Sequence, residues 1–365
     1  MIHNPPTPDF ARLEKVLRRQ GQPDRLPFVE LFADNPIMAA VIGEPIPVIP
    51  NAIGVPIDYA AQEYAFDRIL RFWLEAGYDY ITVPCQLVFL LNRQEIKDTA
   101  GEQSKGNRAW VNEATGVIAN WDDFERYRWP TVADLDFHSL EYVAKRLPEG
   151  MKIIFMGPGG QLENMMWLMG MMNLSFALRE DPALVEAVAT KVGEMLVGIW
   201  SAVAERPGIG AMWLGDDMGF KSGPLISPKY LRQYVFPWQK KLVEITHAHH
   251  LPFLLHSCGN LQTIMDELID GVGIDAKHSF EDVILPVAEA KARWGQRVAI
   301  LGGLDVDTLT RSTEDEVRAY TRKVIEACAP GGGWALGTGN SVANYIPVRN
   351  YLAMLDEGRQ YQGYV

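Results

Sequence analysis

The feature that most constrains the fold is a regular alternation of short apolar runs with longer amphipathic stretches. The apolar runs have the length and composition of buried strands in a parallel sheet. There are eight of them, at 26–32, 79–84, 152–156, 209–214, 252–255, 272–275, 297–301 and 333–336. Amphipathic stretches long enough to form helices separate most of them, for example 59–76, 161–178, 228–249 and 313–328. This rhythm predicts an α/β fold built from strand–helix units.

Eight strands with intervening helices are the number that closes a single (β/α)8 TIM-type barrel, and 365 residues suit such a barrel. A doubly wound open sheet is the competing architecture, which the alternation alone does not exclude. The sequence shows no internal repeat and no Pro-, Gly- or Ser-rich linker. We therefore expect one domain over residues 1–365.

Residues 86–135 break this rhythm after the second predicted strand. The segment is polar, turn-rich and aromatic, which is typical of an insertion. We predict a β-hairpin within it, with the turn at Glu113–Gly116, that covers one end of the barrel. A surface excursion without a role in the site is the alternative interpretation.

Charge and composition exclude several classes of partner. The formal net charge is −12 and no long basic run occurs, which argues against nucleic acid as a partner. The N-terminal residues lack the apolar core of a signal peptide, and we expect no apolar run near the roughly 18–20 residues that span a bilayer. A cytoplasmic protein without membrane contact is predicted. Its three cysteines would then be thiols, available for metal binding.

Polar residues follow five of the predicted strands at the ends where barrel active sites form. These residues are Glu163, Asp216, Asp217, His256, Cys258, Asp305 and Asn340. We expect them to converge on one face of the sheet. Asp216 and Asp217 are the candidates for acid–base catalysis, although neighbouring residues of a strand end face opposite ways, so one of the two is expected in the site. Asp305 and Asn340 are the candidates for cofactor binding.

His256 and Cys258 stand two residues apart in "HSCGN" at the end of an apolar run. Alternate residues of an extended segment point the same way, so an imidazole nitrogen and a sulfur can meet at one point. Zinc accepts both atoms, and a catalytic zinc site has three protein ligands and an open position. The third ligand is open among Glu163, Asp216, Asp217 and Cys85, and we place Glu163 in the metal site. Ordinary core packing of His256 and Cys258 is the competing interpretation.

The motifs "WLGDDMG", "SPKYLRQYVFPWQKKL", "HSCGN" and "GGLD", in this order, resemble the uroporphyrinogen decarboxylase-like superfamily. The resemblance extends from "PDRLPF" at 23–28 to the segment 337–355 and implies a (β/α)8 barrel. True porphyrinogen decarboxylases carry an arginine-rich segment after the first strand. The corresponding stretch here, 30–45, contains no arginine, which disfavours decarboxylation in the haem pathway.

The zinc-dependent corrinoid methyltransferases of this superfamily are similar to the chain at His256 and Cys258. That resemblance implies Zn²⁺ and a corrinoid such as methylcobalamin, with a corrinoid protein and a small methyl donor or acceptor as partners. In the coenzyme M members a further cysteine follows the last strand, and Thr338 stands in that place here. The alternatives are a metal-independent decarboxylase that uses Asp216 or Asp217, and a non-catalytic protein that binds a tetrapyrrole or corrinoid.

Overall fold

The computed structural model describes residues 7–50, 52–91, 93–97, 107–111 and 116–361. Its strands are β1 (Tyr80–Pro84), β2 (Arg93–Lys97), β3 (Asn107–Val111), β4 (Lys152–Met156), β5 (Ile209–Gly215), β6 (Gly219–Phe220), β7 (Gly223–Pro224), β8 (Phe253–His256), β9 (Ala276–His278), β10 (Ala299–Leu301) and β11 (Trp334–Ala335). Its α-helices are α1 (Phe10–Leu17), α2 (Asn35–Ile42), α3 (Tyr59–Glu75), α4 (Trp121–Arg126), α5 (His138–Ala144), α6 (Gln161–Met169), α7 (Met171–Glu180), α8 (Pro182–Ala204), α9 (Pro228–Tyr234), α10 (Phe236–Ala248), α11 (Val287–Trp294), α12 (Val306–Arg311), α13 (Glu314–Cys328) and α14 (Val348–Gln360). A 3₁₀ turn at Val132–Asp134 and a π-helix at Glu267–Val272 complete the elements.

One parallel sheet of seven strands organises the fold, in the order β1-β4-β5-β8-β9-β10-β11. Each strand pairs in parallel with its neighbour. Helices pack against the strands, for example α3 on β1 and α8 on β5. The predicted α/β class with a parallel sheet is confirmed. Because parallel strands run the same way, their carboxyl ends lie at the same edge of the sheet. The residues that follow the strands therefore lie close together at that edge.

The first apolar run, 26–32, is not a regular strand, so the sheet has seven strands instead of the predicted eight. Phe28 forms a parallel bridge with Leu336, directly after β11. On the other side, the Tyr80 hydroxyl donates to the carbonyl oxygen of Glu30 and accepts from its N–H, both at 2.6 Å. The run therefore lies between β11 and β1 and is bonded to both.

The sixth predicted strand, 272–275, is wrong by several residues. The π-helix ends at Val272, and Gly273 turns the chain with a left-handed φ of 91°. Val272 and Ile274 are buried in this turn, so their apolar character comes from packing and not from a strand. The strand itself, β9, begins at Ala276 and ends at His278. This shift puts His278 at the carboxyl end of the sheet.

Two predicted helices are each divided in the structure. The predicted helix 161–178 breaks at Gly170, which has a φ of 75° and separates α6 from α7. The predicted helix 228–249 breaks at Val235, between α9 and α10. Pro237 has no backbone N–H and lies in the first turn of α10, where a helix needs none.

The segment 86–135 contains an antiparallel pair of strands, β2 and β3, and helix α4. Lys97 pairs with Asn107, so the two strands are joined earlier in the chain than the predicted turn. Residues 113–115 of that turn lie outside the described residues. A role of the segment as a cover for the site stays a prediction.

Helix α8 corrects the expectation that no segment is long and apolar enough to cross a membrane. Its 23 residues are long and apolar enough by length and hydropathy alone, and 56% of its most apolar 18-residue stretch is buried inside the fold. Leu184, Val192 and Trp200 are among its fully enclosed side chains, and the helix contacts α6, α7 and α10. Packing within the protein accounts for its apolar composition.

Candidate metal centre

The site is built where β5 and β8 end side by side. Gly215 of β5 is in register with His256 of β8, so the residues that follow each strand start from neighbouring points. Asp217 Oδ1 accepts a hydrogen bond of 2.7 Å from the backbone N–H of Cys258. The loops after the two strands are thus joined directly, and their polar side chains share one space.

Asp217, His256 and Cys258 bring three possible metal donors together, with the donor atoms all within 4.8 Å of one another. His256 Nε2 lies 3.4 Å from Cys258 Sγ and 3.6 Å from Asp217 Oδ1. Zinc bonds of about 2.0–2.3 Å at tetrahedral angles separate neighbouring ligand atoms by roughly 3.3–3.7 Å. The two measured separations fall in that range, so these residues fit a zinc ion.

Two glycines allow the loops to approach closely enough to form the group. Gly259 has a left-handed φ of 79°, and a Cβ atom at this position would lie 2.3 Å from the carbonyl carbon of Gly219. In turn, a Cβ atom on Gly219 would lie 2.6 Å from the carbonyl oxygen of Cys258. Side chains at either position would force Cys258 and Asp217 apart.

His278 fixes the orientation and the tautomer of His256. The two residues are in register on β8 and β9, and their Nδ1 atoms are 2.8 Å apart. Burial lowers the pKa of His256 to about 3 and lowers the pKa of His278 well below its ordinary value, so both rings are neutral at pH 7. His278 Nε2 lies 3.1 Å from the carbonyl oxygen of Thr338, which only accepts, so this nitrogen carries the hydrogen.

The rest of the tautomer assignment follows from that hydrogen. His278 Nδ1 then has only a lone pair, so His256 must donate its own Nδ1–H to it. His256 Nε2 is left with a lone pair aimed at Asp217 and Cys258. Metal-binding histidines present this form, with the second ring nitrogen donating to a neighbouring acceptor.

Cys258 lies among hydrogen-bond donors and one buried cation. Asn340 Nδ2 donates to Cys258 Sγ at 3.2 Å, and Ser279 Oγ lies 3.7 Å from the same sulfur. Lys277 is 3% exposed, and its Nζ donates to the carbonyl oxygens of Ser257 and Ser279. Burial raises the pKa of Cys258 to about 12, so a bound cation is needed to hold the sulfur as a thiolate.

Asp216 and Asp217 face different surroundings. The carboxylate of Asp216 is fully buried and accepts from the N–H groups of Gln161, Leu162 and Glu163, which begin α6. It also accepts from Gln239 Nε2 at 2.8 Å. This geometry favours a structural role for Asp216 over the catalytic role that the sequence predicts. Asp217 alone of the pair reaches His256.

Glu163, which we placed in the metal site from the sequence, is not part of the three-residue group. Its Oε2 atom accepts from the N–H of Gly160 at 3.3 Å. Burial raises the pKa of Glu163 well above its ordinary value, and the charges of Asp217 and Asp216 raise it further. Asp217 Oδ1 lies 3.6 Å from His256 Nε2 and belongs to the three-donor group, so the geometry favours Asp217 in place of Glu163.

The remaining predicted site residues divide between the centre and the surrounding structure. Asn340 lies at the centre through its contact with Cys258. Asp305 accepts from the N–H of Thr308 at the start of α12 and from the N–H of Asp282. Cys85 is buried at the end of β1 and is not part of the group. A cofactor-binding role for Asp305 stays a prediction.

Sequence reasoning missed four residues around the centre: Glu30, Lys277, Ser279 and His278. The omission of Lys277, His278 and Ser279 results from the misplaced strand, because "AKHS" at 276–279 is interpreted as a loop when the strand is put at 272–275. Glu30 carries a usable signal, since it is an acid within the apolar run "LPFVELF". A charged residue in a buried run needs a partner, and this could have directed attention to it.

Glu30 is a buried acid behind the centre, bound to Thr338. Its carboxyl oxygens lie 2.8 Å from the N–H of Thr338 and 2.5 Å from Thr338 Oγ1. Burial raises the pKa of Glu30 to about 8, so the carboxyl group is protonated at pH 7. Thr338 Oγ1 also lies 3.1 Å from the carbonyl oxygen of Asn340. A protonated Glu30 can donate to the Thr338 hydroxyl, which can then donate to Asn340.

Glu30→Gln is expected to remove a pH dependence of stability. Because the pKa of Glu30 is raised in the folded protein, its contribution to stability is full below about pH 4.5 and is lost as pH rises through about 8. For one proton this loss amounts to about 2 kcal/mol between about pH 6 and pH 8. Glutamine keeps a donor and an acceptor without ionising. Urea denaturation of both proteins across this range measures the difference, and parallel profiles contradict a protonated Glu30.

The fold and the site together define an α/β protein with a candidate metal centre at the carboxyl ends of its parallel strands. The profile of the family described as "Uroporphyrinogen decarboxylase (URO-D)" matches residues 112–361. The chain belongs to this family, which places it in a superfamily that contains decarboxylases and methyltransferases. The resemblance inferred from the sequence motifs is confirmed.

Curated relatives of both kinds match part of the chain. A uroporphyrinogen decarboxylase of Thioalkalivibrio sulfidiphilus is 29% identical over 142 residues, which are 37% of this chain and 38% of the relative. The methylcobamide:CoM methyltransferase MtbA of Methanosarcina mazei is 27% identical over 139 residues, which are 38% of this chain and 39% of the relative. The chain therefore spans less than half the length of either relative.

Solved structures share the fold over nearly the whole chain. A methyltransferase from Methanosarcina mazei superposes with a TM-score of 0.67 at 18% identity, and the match covers 95% of this chain and 97% of that one. A B12-independent methionine synthase from a Shewanella species has a TM-score of 0.53 at 13% identity, with 92% and 97% covered. At these identities the similarity demonstrates the fold alone.

Proposed function

We propose that the protein is a zinc-dependent methyltransferase that moves a methyl group between a small substrate and a corrinoid. The observation that carries the proposal is the group of three donors, in which both separations from His256 Nε2 match those around a tetrahedral zinc ion. Three protein ligands leave the fourth position for a substrate atom. The match with a methylcobamide:CoM methyltransferase supports the same chemistry.

Each residue of the centre has a task in this proposal. His256, Cys258 and Asp217 hold the metal, with one neutral and two anionic donors. When bound, zinc acts as a Lewis acid that stabilises negative charge on a substrate thiol or on the heteroatom left after demethylation. Asn340 and Ser279 contact the cysteine sulfur and hold it in place. The buried Lys277 adds positive charge beside the thiolate, which favours an anionic group at the open position.

The proposal extends to the partners and the wall of the site. A corrinoid such as methylcobalamin is the co-substrate, carried by a corrinoid protein, and the other substrate is a small methyl donor or acceptor.

We also propose that the run 26–32 closes the sheet as the eighth member of a (β/α)8 barrel. Its bridge to Leu336 and the bonds between Tyr80 and Glu30 support this arrangement.

Decarboxylation of a carboxylated substrate is the second candidate, supported by the match with a uroporphyrinogen decarboxylase. The absence of arginine from residues 30–45 weighs against it, since anionic carboxylates need cationic partners. Metal-independent decarboxylation also assigns no role to the three metal donors. Decarboxylation that persists in the presence of a metal chelator would favour this candidate, whereas ligand binding without turnover would favour a tetrapyrrole-binding protein.

The proposal is tested by metal analysis and an absorbance assay. The purified protein is expected to contain about one zinc ion per chain, and Cys258→Ala is expected to contain almost none. With zinc present, the wild-type protein should change the absorbance of a corrinoid when a suitable thiol or methylated substrate is added. Cys328→Ala is the matched control, because Cys328 is buried within the protein and is not part of the metal group. Absence of stoichiometric zinc from the wild-type protein contradicts the proposal.

A further inference from the structure

We infer that Thr338 and Glu30 form a positioning pair that orients both His256 and Cys258 for the metal. The inference rests on the proposed function, because it concerns how this chain holds the zinc ligands. Thr338 occupies the turn after the last strand but is not a metal donor itself. Two chains of hydrogen bonds start from it, and each ends on a different metal ligand.

The first chain runs from the backbone of Thr338 to His256. The carbonyl oxygen of Thr338 accepts from His278 Nε2 at 3.1 Å and from the N–H of Gly303, also at 3.1 Å. Both lone pairs of that oxygen are then used, and His278 is fixed as the acceptor for His256 Nδ1–H. The backbone position of Thr338 thereby selects the histidine tautomer that can bind a metal.

The second chain runs from the side chain of Thr338 to Cys258. Thr338 Oγ1 contacts the carbonyl oxygen of Asn340 at 3.1 Å, and Asn340 Nδ2 donates to Cys258 Sγ at 3.2 Å. The single hydroxyl hydrogen of Thr338 serves Asn340 when Glu30 supplies the other hydrogen as a carboxylic acid. Glu30 therefore determines in which direction these hydrogen bonds donate, as well as the position of Thr338.

The surroundings leave Thr338 little room to move. Thr338 and Glu30 are both 0% exposed. A Cβ atom on Gly302 would lie 2.2 Å from the carbonyl oxygen of Thr338, and a Cβ atom on Gly337 would lie 1.7 Å from the carbonyl oxygen of Val29. Glycine at both positions lets the turn approach the neighbouring backbone. Such close packing keeps Thr338 in one position, which is required if it is to orient both His256 and Cys258.

The test compares Thr338→Val with Thr338→Ser by loading each protein with Co²⁺, which takes the same ligands as zinc and has a visible spectrum. Valine keeps the backbone carbonyl and the volume but removes the hydroxyl, whereas serine keeps the hydroxyl. We expect Thr338→Val to lower Co²⁺ affinity by about 10–100-fold and to change the thiolate-to-cobalt absorption band. Thr338→Ser should restore both. Competition with a chelator measures the affinity.

Thr321→Val is the matched control, because Thr321 is also 0% exposed but its hydroxyl donates to Val317 within α13. This control should lose stability without changing Co²⁺ affinity or the spectrum. If Thr338→Val does not fold, Asn340→Leu removes the contact with Cys258 and decides the question with the same two measurements. Wild-type affinity and spectrum in a folded Thr338→Val or Asn340→Leu protein overturn the inference alone. A wild-type protein that binds neither Co²⁺ nor zinc overturns the proposed function and the inference together.

Discussion

Asp217→Ala is expected to lower the affinity of the protein for zinc by more than about 100-fold. The loss of a contact around a metal ligand costs up to about 100-fold, and loss of a ligand costs more. Asp217 Oδ1 lies 3.6 Å from His256 Nε2 and is the third donor of the group. Its removal leaves two protein ligands and an extra open position. Titration of the metal-free protein with zinc, in competition with a chelator, measures the change.

Glu163→Gln is the control for this experiment, since Glu163 was the third ligand expected from the sequence. Glu163 is not part of the three-donor group, and glutamine preserves the shape of its side chain. Zinc affinity should stay within about threefold of the wild-type value, since no ligand is removed. The opposite result, a large loss in Glu163→Gln and none in Asp217→Ala, would restore Glu163 as the ligand.

Asp216→Ala is expected to lower the free energy of unfolding by about 3–5 kcal/mol. The substitution leaves the N–H groups at the start of α6 and the buried Gln239 Nε2 without their acceptor. The buried Gln239 amide, left without its carboxylate acceptor, costs about 1–3 kcal/mol, and loss of the cap on the N–H groups of α6 adds about 2 kcal/mol. Urea denaturation followed by circular dichroism measures the effect.

Asp181→Ala provides the comparison for a cap with a single bond. Asp181 accepts from the N–H of Leu184 at the start of α8, and its removal should cost only about 1 kcal/mol. Similar losses in the two variants would argue against a structural role for Asp216. A stable Asp216→Ala protein that binds zinc but does not transfer methyl groups would instead support the catalytic role predicted from the sequence.

The sequence predicts most of the fold because buried parallel strands are short and continuously apolar. Six of the eight predicted runs overlap the observed strands, and α3 and α13 begin and end within one residue of the predicted bounds. The run 272–275 misled because Val272 and Ile274 are apolar for packing within a turn. Breaks at Gly170 and Val235 depend on how neighbouring helices pack, which an apolar pattern does not encode.

The candidate site is predictable as far as its local signals extend. His256 and Cys258 are linked by their spacing, and the alternation of strand residues correctly separates Asp216 from Asp217. The choice of Asp217 over Glu163 depends on the register between β5 and β8, which is a tertiary property. The contacts of Glu30 and His278 with Thr338 join residues far apart in sequence. Pairs of this kind become visible only once the sheet is assembled.

The irregular run 26–32 is bonded to the sheet without being one of its seven regular strands. This run is the seam between β11 and β1, and it is joined to Leu336 by two backbone bonds, one from the N–H of Val29 and one to the carbonyl oxygen of Pro27. The strands β1, β4 and β5 are joined by longer ladders of four or five residue pairs. Sparse pairing of this kind makes a segment separate more readily than a regular ladder. Because Glu30 in this seam also supports Thr338, we expect a cation bound at the proposed centre to stabilise the seam, and separation of the seam to weaken binding of the cation. Hydrogen exchange of the backbone N–H groups of Val29 and Leu336 is expected to be slower in the metal-bound protein than in the metal-free protein.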